Sequence, residues 1–154
     1  MRRFNILTGE LPVHQDRPRY AWRGRRGLGS EHDLRWFGAS VYELPEGQWT
    51  FPYHYHHGVE EWVYVVAGAP TLRDPTGERM LAAGDLVCFP SGADGAHAVR
   101  GPGRVVMFSG VAATGTPSVS VYPDSDKLGV RPADGGPDRL DFRRGDAVGY
   151  WDGE

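Results

Sequence analysis

Glycine and proline cut this chain into short apolar runs, and that punctuation limits what it can fold into. There are 22 glycines and 12 prolines among 154 residues. Most fall between brief stretches rich in Val, Tyr, Phe and Trp, which suit strands bounded by turns rather than helices or disorder. In chain order the runs are Phe4 to Leu7, Leu34 to Leu44, Gln48 to His56, Glu61 to Val66, Thr71 to Arg73, Glu78 to Leu81, Leu86 to Phe89, His97 to Arg100, Arg104 to Ser109 and Val119 to Tyr122. Pro45-Glu46-Gly47, Asp74-Pro75-Thr76-Gly77 and Ala82-Ala83-Gly84-Asp85 supply turns between them. No stretch carries the pattern of a long helix. Short strands at this spacing predict an all-β domain, a sandwich or barrel.

The run from Gln48 to His56 holds two histidines, His54 and His56, with Tyr55 between them. On a strand, residues two apart point to the same face. Both imidazoles therefore enter one space. The next strand begins at Glu60-Glu61. Glu61 shares parity with Val63 and Val65, and Glu60 with Trp62 and Tyr64, so the two carboxylates face opposite sides. Two imidazoles and a carboxylate suit a first-row transition metal. His97, opening a later run, is the candidate fourth ligand. His57 has the opposite parity and is expected in an outer position or exposed. His14 and His32 lie in expected loops. Thr50 and Pro52 share the face of His54 and His56; Phe51, Tyr53 and Tyr55 share the other. Cys88 reads as a small apolar residue on a buried strand.

These residues resemble the cupin superfamily, whose first motif is G-x5-H-x-H-x(3 or 4)-E-x6-G and whose second is G-x5-P-x-G-x2-H-x3-N. His54, His56, Glu61 and Gly68 match the first; Gly84, Pro90, Gly92 and His97 match the second. Six residues rather than five separate Gly47 from His54, four rather than two separate Gly92 from His97, and Gly101 stands where the family often has Asn. The longer spacing predicts a longer loop before His97. The whole chain is similar to small bacterial single-domain cupins that mostly carry no assigned activity. The resemblance implies a double-stranded β-helix, or jelly-roll barrel, over residues 35–112. An N-terminal arm over 1–34 and a C-terminal extension over 113–154 would pack outside it. It also implies one divalent transition metal per chain (Fe, Mn, Ni, Zn or Co) held by His54, His56, Glu61 and His97.

The net charge of −3 offers no basic field for nucleic acid. The segment Pro12 to Arg26 is locally basic, with Arg17, Arg19, Arg23, Arg25 and Arg26 interleaved with Tyr20 and Trp22. It reads as an arm whose aromatics pack on the barrel or a partner. No apolar run is long enough to cross a bilayer, and Met1-Arg2-Arg3 is not followed by a signal-peptide core. A single cysteine leaves no internal disulfide framework, so a reducing cytoplasm is expected. Asp124 to Arg144 reads as a polar connection. The terminal Tyr150-Trp151 pair is expected to dock on the barrel exterior or a second subunit. With apolar arms at both ends, a homodimer is expected.

A four-ligand centre leaves two open positions on an octahedral metal, enough to hold and polarise a small polar metabolite. Dioxygenation, isomerisation and elimination or decarboxylation all occur among the proteins the site resembles, and fold and ligands do not choose between them. No residue marks itself as the general base. The expected function is a metal-dependent enzyme; the alternative is a binding module that uses the metal to hold a small-molecule ligand without turnover.

Overall fold

The computed structural model describes residues 3–28, 36–111, 117–132 and 139–154. These residues form strands and short 3₁₀ turns, with no α-helix among them. The strands are β1 (Val13–Gln15), β2 (Trp22–Leu28), β3 (Phe37–Leu44), β4 (Tyr55–His57), β5 (Val59–Gly68), β6 (Thr71–Asp74) and β7 (Gly77–Met80), then β8 (Leu86–Phe89), β9 (Ala98–Arg100), β10 (Gly103–Val111), β11 (Ser118–Tyr122), β12 (Lys127–Arg131) and β13 (Leu140–Arg143). One sheet has the order β1-β2-β3-β10-β5-β8. The other layer is made of β13-β12-β11-β4 and β7-β6-β9. The two pieces of that layer are joined by Trp49 to His54, through single bridges Trp49 to Arg100 and His54 to His97. The pairing is antiparallel throughout, as in a jelly roll.

The interior follows from alternation. Along β5 every second residue, Glu61, Val63 and Val65, is buried, while Glu60 and Trp62 are exposed. Val63, Val65, Leu72, Val99 and Val105 are completely buried, and Trp22, Tyr42, Leu44, Leu81, Phe89 and Met107 complete this cluster between the layers. Burying each such side chain contributes about 1.5–3 kcal/mol. Glu61 thus sits at the end of an apolar row that fixes its direction.

Several segments differ from the sequence expectation. The expected single strand Gln48 to His56 is interrupted. Pro52 has no N–H for a ladder, and the chain bends around it before β4 begins. The bend breaks the alternation, so Phe51 turns inward and meets Trp22 and Tyr42 edge-on, at 6.1 and 5.5 Å between ring centroids. Phe4 to Leu7 is a turn rather than a strand, because the Asn5 side-chain oxygen accepts the N–H groups of Leu7 and Thr8. Phe4 and Leu11 then pack on Val41 and Val106, outside the large sheet. The basic arm is not loose: it supplies β1 and β2, with Trp22 buried and its Nε1–H donated to the Thr50 carbonyl at 3.0 Å. His14 accordingly lies on β1, and His32 lies outside the described residues. Cys88 is exposed, not buried, because on β8 it is Val87 and Phe89 that point inward. Asp124 to Arg144 contains β12 and β13. The terminal Tyr150 and Trp151 are 86% and 77% exposed and touch each other rather than the barrel.

The motif glycines Gly47, Gly68, Gly84 and Gly92 all have positive φ. Gly68 is the most confined. Its φ is +83°, and a Cβ there would lie 2.7 Å from the Gly103 Cα and 2.9 Å from the Pro102 carbonyl oxygen. Backbone on both sides cannot move aside as a side chain would. Gly68→Ala is expected to cost about 2 kcal/mol or more, read as a lower urea midpoint with an unchanged slope; an unchanged midpoint would mean that the β5–β10 junction is soft.

Candidate metal centre

Four side chains reach the interior from four places. His54 comes from the bridge with His97, His56 from β4, Glu61 from β5, and His97 from the residue preceding β9. The His54 and His97 backbones exchange both hydrogen bonds of their bridge, at 3.1 and 2.8 Å, which aligns the two rings. The Nε2 atoms of His56, His97 and His54 lie 3.1, 3.4 and 3.7 Å from one oxygen, Glu61 Oε2. His54, His56 and Glu61 form a group whose ligand atoms lie within 4.8 Å of one another and could hold a metal ion. His57 and Glu60 are exposed and stand outside the group, His57 as expected from its parity.

The outer partners of each ring fix which nitrogen faces inward. His54 Nδ1 meets the Pro52 carbonyl at 2.8 Å and His97 Nδ1 the Gly95 carbonyl at 2.9 Å. Both carbonyls can only accept, so each Nδ1 carries the proton and each Nε2 presents a lone pair. His56 Nδ1 contacts Ser120 Oγ at 3.1 Å, and Ser109 donates to Glu61 Oε1 at 2.8 Å. The Phe89 ring lies flat on His97, at 3.7 Å and 8°, and the Tyr122 ring stacks on His54 at 5.8 Å. The extra residues before His97 form a 3₁₀ turn, Ala93–Gly95, and that turn delivers the Gly95 carbonyl.

The inner atoms are left without hydrogen bonds. His56 Nε2, His97 Nε2 and Glu61 Oε2 are buried with no partner of suitable geometry. Three unpaired polar atoms converging at one point would be costly. A cation satisfies all of them, so the residues present fit a divalent metal.

Burial, reinforced by the neighbouring imidazoles of His97 and His56, pushes the His54 pKa down to about 3. Burial alone would raise the Glu61 carboxyl, but in the metal-free chain the imidazoles of His56 and His97, when they carry a proton at Nε2, hold it well below its ordinary value by hydrogen bonding and charge. Both shifts work in one direction for the metal-free chain. His54 is neutral when folded but takes up a proton when unfolded below its ordinary 6.5. The Glu61 contribution is complete above its ordinary 4.5 and is lost as the pH falls. The unfolded state therefore binds more protons across acidic pH, and stability falls with falling pH. Urea unfolding of chelator-treated protein is expected to show a declining midpoint from about pH 6.5 downward. A flat profile from pH 6.5 to 4 would contradict the burial of these groups.

The centre lies in a cavity of about 860 Å³. Thr50, Phe51, Pro52, Ser40, Tyr42 and Met107 line it beside the ligands. Thr50 and Pro52 were expected there; Tyr42 and Ser120 were not singled out by the sequence. The Tyr42 phenol is raised by burial, with Ser40 and Arg26 hydrogen-bonded to it and Glu61 near enough to act on it electrostatically. The Tyr122 hydroxyl accepts a hydrogen bond from Arg139 Nη2 at 2.9 Å.

Comparison with known proteins agrees with this fold. The family profile of the Cupin domain matches residues 40–110. Over 88% of this chain and 86% of the other, the structure superposes on a candidate sugar phosphate isomerase of Acidithiobacillus ferrooxidans, with a TM-score of 0.73 and 26% identity. A sugar phosphate isomerase from a cupin superfamily, from Silicibacter pomeroyi, is covered over 98% of both chains, with a TM-score of 0.72 and 22% identity. A predicted oxalate decarboxylase of Thermotoga maritima shares the fold over 59% of this chain and 81% of its own, at a TM-score of 0.52 and 20% identity. No curated protein matches the sequence. No helix of the described residues is long and apolar enough to cross a membrane.

Proposed function

This chain belongs to the cupin superfamily, and from that premise we propose that it is a metal-dependent isomerase of a small sugar bearing an anionic group, with His54, His56, Glu61 and His97 as the metal ligands. The observation that carries the proposal is the convergence of three imidazole Nε2 atoms on one unpaired carboxylate oxygen, inside a cavity large enough for a metabolite. The relative at 26% identity, a candidate sugar phosphate isomerase, supports the choice among cupin chemistries. A divalent metal bound here would polarise a substrate carbonyl and the neighbouring hydroxyl.

The chain's own residues supply the rest. Ser109 and Ser120 steady Glu61 and His56 from behind. Aldose–ketose interconversion moves a proton between adjacent carbons and gathers negative charge on the carbonyl oxygen. Tyr42 is protonated near neutral pH, its phenol lying above the ordinary 10.0 through burial. Its hydroxyl is the donor we assign to that oxygen, braced by Arg26 and Ser40. Phe51, Met107 and the flat Tyr122 ring keep the inner end apolar and limit water.

The direct test is to load the purified protein with a single metal and incubate it in D₂O with a panel of sugar phosphates and their parent sugars. Solvent deuterium entering the carbon beside the carbonyl, with formation of the isomer, is the expected result. Oxygen uptake without exchange would move the reading to a dioxygenase. Stoichiometric ligand binding with no product would move it to a binding module.

We also propose a homodimer, because Trp36, Tyr150 and Trp151 stand 65%, 86% and 77% exposed in the single chain. Light scattering is expected to give twice the chain mass, and a monomer at micromolar concentration would contradict it.

A further inference from the structure

Cations crowd the cavity's outer part. Among the described residues, Arg17, Arg26, Lys127, Arg131 and Arg139 line it, against two carboxylates, Glu61 and Asp141. The chain as a whole carries −3, so this positive field is local. Three of the five cations come from the β12–β13 hairpin. Register explains how they face inward. His56, Ser120, Gly129 and Asp141 lie in one row across β4, β11, β12 and β13. Lys127 and Arg131 flank Gly129 by two residues on either side and so share its face. Arg139 has the same parity as Asp141 on the neighbouring segment.

Gly129 makes the space for this arrangement. A Cβ there would lie 2.7 Å from Asp141 Oδ1 and 3.5 Å from Arg139 Nη2. Without a side chain at that point, the Arg139 guanidinium lies across the hairpin, held by Asp141 at 3.1 Å and by the Tyr122 hydroxyl at 2.9 Å. Lys127 rests over the Tyr122 ring at 5.1 Å. Neither Lys127 nor Arg131 has a carboxylate partner among the described residues.

We infer that Lys127, Arg131 and Arg139 form a binding site for a phosphate monoester dianion, with Arg26 closing it from the opposite sheet. The inference rests on the isomerase reading only for which end of the substrate faces the metal. Guanidinium groups bind phosphate oxygens in pairs, and a lysine adds a point charge. Gly129 lies two strand spacings from His56, and Lys127 and Arg131 are offset from it by two residues, so their Cα atoms stand about 12 Å from that of His56. A short sugar chain can span that gap once the long side chains lean inward. Its carbonyl end then lies at the imidazoles and its phosphate at the hairpin.

The test uses chelator-treated protein, so that binding at a metal cannot contribute, with inorganic phosphate as the probe in calorimetry. One saturable site per chain is expected. It should weaken about tenfold or more in Arg131→Met and in Lys127→Met, and stay unchanged in Arg79→Met, a charge change on the distant β7. Ribose 5-phosphate should compete for the site and ribose should not. Absence of saturable binding, equal loss in Arg79→Met, or unchanged binding in both hairpin variants would overturn the inference. Metal binding and turnover are measured separately on loaded protein, so failure of the phosphate site and failure of the metal site remain distinguishable.

Discussion

Glu61→Gln protein is expected to emerge from metal reconstitution nearly empty, its affinity for a divalent metal lowered by well over about 100-fold. The reason is local. Glu61 Oε2 is the atom on which the Nε2 atoms of His54, His56 and His97 converge, and it supplies the only negative charge among the four. Glutamine keeps the shape and removes the charge. Ser109→Ala removes only the hydrogen bond to the far oxygen, Oε1. Outer partners of this kind typically contribute 10–100-fold to affinity, so its loss should be smaller than that of Glu61→Gln. Elemental analysis and metal titration of the two variants give the order. Equal and full metal content in Glu61→Gln would refute the assigned ligand set, and no rearrangement of the nearby residues would rescue it. Glu60, the adjacent carboxylate, is exposed and faces away.

Tyr42→Phe is expected to lower kcat by about 10²–10³-fold, the typical cost of removing one donor from a developing oxyanion, while metal content stays full. The two readouts separate a role in chemistry from a role in building the site. The ring itself is held by its neighbours. Trp22 meets it edge-on at 4.9 Å and Phe51 at 5.5 Å. Phenylalanine preserves those contacts, so the fold should survive. What it removes is the hydroxyl that Ser40 and Arg26 brace. If deuterium exchange into the substrate continues at the wild-type rate, Tyr42 is not the donor. If exchange and metal content fall together, it is structural.

Much of the fold was legible because its signals are local. Turn residues at short intervals mark strand ends wherever the chain goes next, and β8 and the β6–β7 hairpin lie where the turn residues put them. The period of two separated Glu61 from Glu60, the motif spacing to Gly68 chose Glu61, and the structure buries Glu61 and exposes Glu60. The spacing of His54, His56, Glu61 and His97 named the group before its geometry was known. Other segments were misread for physical reasons. In β12 and β13 the polar side faces a cavity while Leu140 and Phe142 are 53% and 50% exposed, so the usual guide of apolar inside and polar outside is inverted. Cys88 sits on an edge strand with an outward parity that a short apolar run does not reveal.

By itself, then, the sequence determined the class of fold, because turn residues and strand periodicity are local signals, and the set of candidate ligands, because two short motifs tie Glu61 to Gly68 and His97 to Gly84, Pro90 and Gly92. Tertiary structure alone decided that Trp22, from a basic arm, would wedge Tyr42 into the cavity, and that Ser120 would back His56. It also decided that a hairpin taken for a polar connection would line, with its cations, the cavity that holds the candidate ligands. Those placements depend on which strands become neighbours and in what register, and register is set by pairing between segments far apart in the chain.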